Sequence, residues 1–561
     1  MTNMSARQLT LTIPHICDSI VDHLSSNDVR NCITISKEFH QAFAPYNWRY
    51  IHITLRSSYT SLHDHILASE GQVLIENKPR IQALSSVYSE VWNLFLQNDA
   101  RIPNCIPRAP FANLTSLHAL SPPKQGAAPC IDPDNTHQLH TVIENSPRLQ
   151  ELNIIDHCSS TKMQIVQLSR IIRGHPSLKS LTLQTDEMHL GHYKELLWSS
   201  WNLEKLDITT SFYNRPKLPA EAYQTDEQEQ ELDMWLAVNG SAHAATGKGN
   251  NDSKALFQLK EFYLYSGRYL DDFGITIPFL RRCRRLKRFR PPRIACESLL
   301  EAIKAEIPNC WPNVEHLDMG NCDPHQRNDD AGLLAAFASP KSRHGGLTSL
   351  ILAPRHDTDI LWTIPRKHAS TLVDLDLRGC HRIPGHSLHM LLTSCRKLRS
   401  CLALTDELHY SKPGHRGFSN FKGDPVLGSC DLEYADSWKC LGLETLHLQF
   451  SNDGMSCAED KYNRAGIPRA IFYQIQKLKR LRDLQLCLVP PTWNDSDGCK
   501  NEWKSMVIMW GSSNVCDALK AFGDLKDLET LKLRGLVDYV EHSSLTDAKS
   551  QWPKLKWVVN S

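Results

Sequence analysis

Leu149-Gln-Glu-Leu152-Asn-Ile154 is one instance of a phrase, apolar-x-x-apolar-x-apolar, that occurs fourteen times in the 561-residue chain. It returns as Leu178 to Leu183, Leu203 to Ile208, Val314 to Met319, Leu347 to Leu352 and Leu372 to Leu377. Later copies open at Leu443, Leu481 and Leu528, and weaker ones at Leu114, Leu259, Leu286, Leu398 and Leu555. The last three positions alternate, as a short half-buried strand requires. Leu152 and Ile154 then point inward, while Glu151 and Asn153 point out. One such strand cannot bury its own apolar face, but a parallel stack of them can.

Several consecutive copies lie 25 to 29 residues apart. That period and phrase resemble the leucine-rich repeat, which stacks strand, turn and helix units into a slab suited to holding a macromolecule. Helix-like stretches such as Ile165 to Ile172 and Ser387 to Leu392 lie between phrases. Pro147, Pro176, Pro312, Gly346 and Pro553 stand just before phrases, where a helix must end. Met319-Gly-Asn-Cys322 and Leu377-Arg-Gly-Cys380 place a cysteine after the strand. This resembles the cysteine-containing class of the repeat and implies a small thiol buried in the turn.

Lys and Arg total 63 against 62 Asp and Glu, a net charge of +1. No global field therefore favours nucleic acid or an acidic membrane. At 41% hydrophobic residues the composition is that of a folded chain. Met1 to Thr12 is polar and shows no signal-peptide core. No apolar run approaches the roughly 18 residues of a membrane span. The 18 cysteines include no C-x-x-C pair. They read as reduced thiols in a cytoplasmic or nuclear protein, where the sequons at Asn113 and Asn251 carry no sugar.

Ahead of the repeats comes a different pattern. Ile13, Ile16, Ile20 and Leu24 are spaced as one helix face, with Pro14 suited to its first turn. Ser25-Ser26-Asn27-Asp28 supplies cap chemistry for a second helix carrying Val29, Cys32, Ile35, Phe39 and Phe43, closed by Pro45. Trp48, Tyr50, Ile51 and Ile53 lead into an extended segment. About forty residues fold poorly alone.

Ile13-Pro14-His-Ile16, Ile20, Leu24, Asp28-Val29, Cys32, Ile35-Ser36-Lys-Glu-Phe39 and Trp48 resemble an F-box over roughly residues 9 to 53. Ile13 departs from the family's leucine, His15 to Cys17 lacks its acidic residue, and Ser36 and Phe39 replace its Cys and Trp. The order F-box then repeats resembles fungal-type substrate receptors of SCF ubiquitin ligases. The resemblance implies a non-catalytic adaptor without cofactor, bound to a Skp-family adaptor and cullin ligase. Pro14, Ile16, Ile20, Leu24, Val29, Cys32, Ile35, Phe39 and Trp48 would carry the adaptor contact. The rival reading is a repeat scaffold or GTPase-regulator-like protein whose N-terminal helices merely cap the stack. A cap hides its whole apolar face, whereas an F-box leaves part of it open.

The expected fold is α/β: a helical domain over 1–53, a transition with a degenerate first repeat over 54–110, and an irregular leucine-rich-repeat solenoid over 111–561. Its strands line the concave face and its helices the convex one. Ile81 to Leu84 is the degenerate phrase, with Val87 to Leu96 as its helix. Long inserts are expected near 211–255, 405–440, 451–468 and 489–515, the first opening with the acidic stretch Asp226 to Asp233.

Chemistry-bearing motifs are sparse. There is no Walker A, G-x-G-x-x-G or G-x-S-x-G sequence. His386 and His389, near His381, lack a completing metal ligand. Asp495-Ser-Asp497-Gly498 with Glu502 is too short for a calcium loop. The basic cluster Arg281, Arg282, Arg284, Arg285, Lys287, Arg288, Arg290 and Arg293 reads as a solvated element end, an import signal or a dock for an acidic or phosphorylated segment.

The x positions beside the inward leucines mark the expected substrate face: Glu261, Tyr263, Tyr265, Arg288, Arg290, His316, Asp318, Asp374, Asp376, Arg378 and His447, flanked by Thr445 and Gln449. Its mixture of aromatics and both charges suits a protein partner rather than nucleic acid. An acidic or phosphorylated segment is expected near Arg288 and Arg290.

Overall fold

The computed structural model describes residues 14–21, 23–24, 26–53, 56–69, 72–86, 111–120, 133–156, 162–185, 188–210, 212–213, 257–266, 273–291, 303–307, 311–319, 330–338, 346–352, 358–378, 380, 385–403, 426–427, 437–451, 473–489, 522–534 and 552–559, with isolated residues 230, 232, 234 and 301. The chain divides into two compact units, Met1–Arg285 and Leu286–Ser561.

The first unit opens with three short helices, α1 (Pro14–Val21), α2 (Ser26–Ile35) and α3 (Lys37–Phe43), and a 3-10 turn over Ala44–Trp48. The sequence reading has one helix running from Val29 to Phe43; the structure breaks it at Ser36. Ser36 adopts an extended backbone, φ −159° and ψ 170°, and its hydroxyl accepts the Phe39 N–H at 3.3 Å. A serine oxygen satisfying a free amide at a helix start is the usual capping device, and here it outcompetes continuation of the helix. Val21, Val29 and Phe43 form the core of this bundle, with Leu24, Cys32, Ile33, Phe39, Ala42 and Tyr46 packed around them. The Phe39 and Phe43 rings stack at 5.6 Å.

The chain then enters a parallel ladder. Strands β1 (Tyr50–Ile53), β2 (Ala83–Ser86), β3 (Ser116–Leu120), β4 (Glu151–Asp156) and β5 (Ser180–Thr185) pair in order. The short β6 (Met188–His189) pairs with β8 (Phe212–Tyr213), while β7 (Lys205–Thr210) and β9 (Glu261–Ser266) complete the main ladder. The extended segment at Tyr50 is thus a rung of the same sheet as the degenerate phrase at Ile81. Register places Leu84, Leu117, Leu152, Leu181 and Leu206 in one row, each fully buried. Burying such a side chain is worth about 1.5–3 kcal/mol, so the row fixes the register. Helices Lys162–Gly174 and Leu190–Ser199 bridge successive strands.

The second unit repeats the plan. Strands β10 (Arg288–Arg290), β11 (His316–Met319), β12 (Ser349–Leu352), β13 (Asp374–Asp376) and β14 (Ser400–Leu402) form consecutive parallel pairs. A two-residue strand β15 (Val426–Leu427) and β14 both pair with β16 (Thr445–Ser451). β17 (Asp483–Val489), β18 (Thr530–Arg534) and β19 (Trp557–Val559) follow. Phe289, Leu317, Leu350, Leu375, Leu446 and Leu484 are at most 1% exposed. Helices Thr358–Lys367 and Gly385–Ser394 lie between strands.

A feature outside the phrase recurs in both units. At many phrases the residue three positions ahead of the opening leucine or valine is buried, and its carbonyl accepts that residue's N–H. Ser146, His175 and Ser200 do this for Leu149, Leu178 and Leu203, at 3.0, 3.2 and 3.1 Å. Trp311, Cys395 and Trp552 do it for Val314, Leu398 and Leu555, at 3.2, 3.2 and 3.1 Å. All six residues are at most 6% exposed. Leu347 departs from this, its N–H donating to His368 Nδ1 at 3.0 Å; just before it Gly346 has φ +149°, and a Cβ there would meet Thr371 Oγ1 at 2.7 Å and His368 Nδ1 at 2.9 Å. Only glycine suits that backbone and that gap.

The expected helix at Val87 to Leu96 lies outside the described residues, as do most of the four expected inserts, Ile13, Arg293, Cys322, His381 and the Asp495 to Glu502 turn.

Candidate binding surfaces

Two surfaces emerge from these elements, one on the helical bundle and one on the outward face of the strands. On α1 the buried side is Cys17 and Val21, 2% and 3% exposed. Ile16 lies half-buried beside them, and Ile20 is 38% exposed. On α2 Val29 points into the core, while Ile35 at the C-terminal end is 58% exposed. The nine candidate adaptor residues therefore separate. Leu24, Val29, Cys32 and Phe39 pack within the bundle, whereas Ile20 and Ile35 are left on its surface. Trp48 is half-buried at the end of the 3-10 turn, and Pro14 is the first residue of α1.

The x positions of the strands face outward as expected at most rungs. Tyr265 is 42% exposed, with Glu261 and Tyr263 half-buried. Elsewhere on the same ladder, at β3 and β4, Ser116 Oγ lies 2.8 Å from His118 Nε2 and 3.2 Å from Glu151 Oε2. These residues belong to the first unit, whereas Arg288, Arg290 and the remaining face residues belong to the second.

In the second unit the outward charges are largely paired with one another. Arg290 Nε donates to Asp318 Oδ2 at 2.9 Å, and its Nη2 meets the same oxygen. Asp318 is consequently only 7% exposed. Arg378 donates from Nε and Nη2 to Asp376, at 3.0 and 2.7 Å, and from its backbone N–H at 3.0 Å. His447 Nε2 lies 3.0 Å from Asp483 Oδ2, and His447 is 5% exposed. Arg288 and Asp374 remain exposed, with His316 half-buried. Partial burial raises the Asp374 carboxyl above its ordinary range, against the pull of His316 and Arg399. The Arg290 fork, expected to meet an incoming acid, is thus committed to Asp318.

The described cysteines are free thiols. Cys380 is 1% exposed and donates to the Leu352 carbonyl at 3.5 Å. Burial pushes the Cys395 and Cys440 thiols up to about 12, so both are protonated and unreactive at neutral pH. His389 Nδ1 accepts the Trp438 indole N–H at 3.2 Å, tying it to packing. Among the described residues no group of three metal-ligating side chains comes together. No described helix is long and apolar enough to cross a membrane.

No family model matches the chain, and no curated protein matches it. Among solved structures the chain is similar to TLR13 in its complex with ssRNA13, at 14% identity and a TM-score of 0.29, over 81% of this chain and 58% of that one. It is also similar to the leucine-rich-repeat ectodomain of the Arabidopsis receptor kinase HAESA in complex with an N-terminally extended IDA peptide hormone. There the identity is 13% and the TM-score 0.29, over 81% of this chain and 71% of that one. The chain spans little more than half the length of the first. The leucine-rich-repeat architecture rests on the chain's own strand register and buried leucine rows.

Proposed function

We propose that the chain is a non-catalytic substrate receptor of an SCF-type cullin ubiquitin ligase. The bundle over residues 14–48 binds a Skp-family adaptor, and the outward strand faces hold the protein to be modified. The work done is proximity: holding a target near a charged conjugating enzyme raises its effective concentration without bond chemistry by this chain.

The observation that carries the reading is the apolar surface of the bundle. A solenoid cap would bury Ile20 and Ile35 against the first rungs, yet both stand exposed beside a core that is already complete without them. Large aliphatics held in that way suit a partner's groove. Replacing Ile20 and Ile35 with Asp tests it. Both sites are exposed, so the fold should tolerate the change. The expected result is loss of co-purification with the Skp-family adaptor at an unchanged melting temperature. Undiminished adaptor capture by the folded double variant overturns the assignment.

A further inference from the structure

At the turn edge of the first unit, Lys179, Lys260, Arg285, Asn202, Gln258, Pro176 and Glu204 enclose a niche of about 110 Å³. Three cations and one carboxylate share it, and two of the cations pair with that carboxylate. Lys260 Nζ donates to Glu204 Oε2 at 2.7 Å, and Lys179 Nζ lies 3.7 Å from Glu204 Oε1. Arg285 Nη1 donates to the neutral Gln258 Oε1 at 2.5 Å and meets no carboxylate among the described residues. The niche therefore carries an excess of two positive charges. The Lys260 hydrogen bond, and then the charge of Lys179, hold the Glu204 carboxyl below its ordinary range.

We infer that this niche binds a phosphate monoester, presented as a phosphorylated side chain on a protein segment. The excess of two charges matches the nearly doubly negative phosphate of phosphoserine or phosphothreonine at neutral pH. A carboxylate would neutralise only half of it. Unused N–H groups on both ammonium heads and on the Arg285 fork offer several donors to a tetrahedral set of oxygens. The niche is small and open to solvent, of a size for one phosphoryl group, with the rest of the ligand lying along the surface. A nucleic-acid backbone needs a row of cations, and the niche is bordered by neutral Pro176, Asn202 and Gln258. The inference goes beyond the adaptor reading and holds or fails separately from it.

The test uses the full chain at low ionic strength, with binding read by fluorescence polarisation or 31P NMR. The probes are a labelled Gly-Gly-phosphoserine-Gly-Gly peptide, its serine and glutamate counterparts, inorganic phosphate and a short single-stranded RNA. The phosphopeptide should bind and the serine peptide should not, with glutamate at least about tenfold weaker. Binding should weaken below about pH 6, where the phosphate takes up its second proton. Lys260→Gln and Arg285→Gln should each weaken it about tenfold, while Glu204→Gln should tighten it by removing the competing anion. Should Lys260→Gln fail to fold, Arg285→Gln keeps the test readable, because its side-chain hydrogen bond among the described residues goes to a neutral group. The inference is overturned if glutamate and phosphoserine peptides bind alike, or if Arg285→Gln leaves affinity unchanged. It is equally overturned if inorganic phosphate or RNA binds while the phosphopeptide does not. Adaptor capture should be untouched in every variant.

Discussion

His368 shows how a single side chain can join two repeats. It is wholly buried, accepting the Leu347 N–H on Nδ1 at 3.0 Å and donating from Nε2 to the Leu334 carbonyl at 3.0 Å. The two bonds require the neutral ring, and burial lowers its pKa from 6.5 to about 4 despite the Leu334 bond. The native ring resists protonation while the unfolded ring accepts it. This contribution is therefore present above about pH 6.5 and is lost as pH falls from 6.5 toward 4. The difference amounts to roughly 3 kcal/mol. Denaturant melts across that range should show wild-type stability falling with a slope that His368→Gln lacks; parallel slopes would remove the argument. A second pair tests strand register at the same scale. Leu375→Ala should cost about 2–5 kcal/mol through the cavity it leaves. Asp376→Ala, losing a partly exposed pair with Arg378, should cost about 1 kcal/mol or less. Equal losses in thermal melts would mean that the two residues exchange faces.

At the scale of one element, the repeat is longer than its visible phrase. Leucine spacing in the sequence reveals Leu152, Leu181 and Leu206 because each is large, apolar and regularly placed. The turn residue three positions earlier escapes notice because Ser146, His175, Trp311 and Cys395 share burial and a carbonyl role but no side-chain chemistry. Only the backbone oxygen is common to them, and sequence does not display it. The break at Ser36 was readable in principle, since Ser36 and Glu38 stand at a helix start, but the apolar spacing from Val29 to Phe43 masked it. Ser36→Ala should therefore cost about 1 kcal/mol, and Ser36→Asp, which can also cap, should restore most of it. Chemical denaturation of the two variants decides this. The same limit applies to the candidate surfaces. Alternation marked Arg290 as outward, but the sequence does not tell that Asp318, 28 residues on, would engage its guanidinium. Nor does apolar periodicity separate Ile20, exposed, from Val21, buried, one residue apart.

Across each unit, stability passes from rung to neighbouring rung. Backbone bonds link Lys179, Glu204 and Lys260 in one unit, and Arg399, Glu444, Arg482, Glu529 and Lys556 in the other, so alternating charges stack along a sheet edge. Lys556 Nζ reaches Glu529 at 2.7 Å and Arg399 reaches Glu444 at 3.8 Å. Exposed pairs of this kind each add little, but their alternation penalises a slipped register, which would set like charges together. Ladders of this type open locally. Leu181→Ala should raise amide exchange in β4, β5 and β7 and leave the second unit's amides at wild-type protection. Hydrogen-exchange mass spectrometry reads this directly, and uniform deprotection of the whole chain would contradict it.

Leu181 and Leu206 are register partners 25 residues apart in sequence, and Leu206 and Phe262 are partners 56 residues apart. The sheet spaces both pairs alike, because strand separation is set by hydrogen bonds and not by the contour length between rungs. Doubling that contour costs only about 0.6 kcal/mol in closure entropy. Mutation can therefore lengthen or shorten these intervals almost freely while every buried leucine stays where it is. Such a chain can change what it displays at a repeat boundary without renegotiating its fold, and two descendants of one ancestor could differ widely in length while remaining superimposable rung for rung.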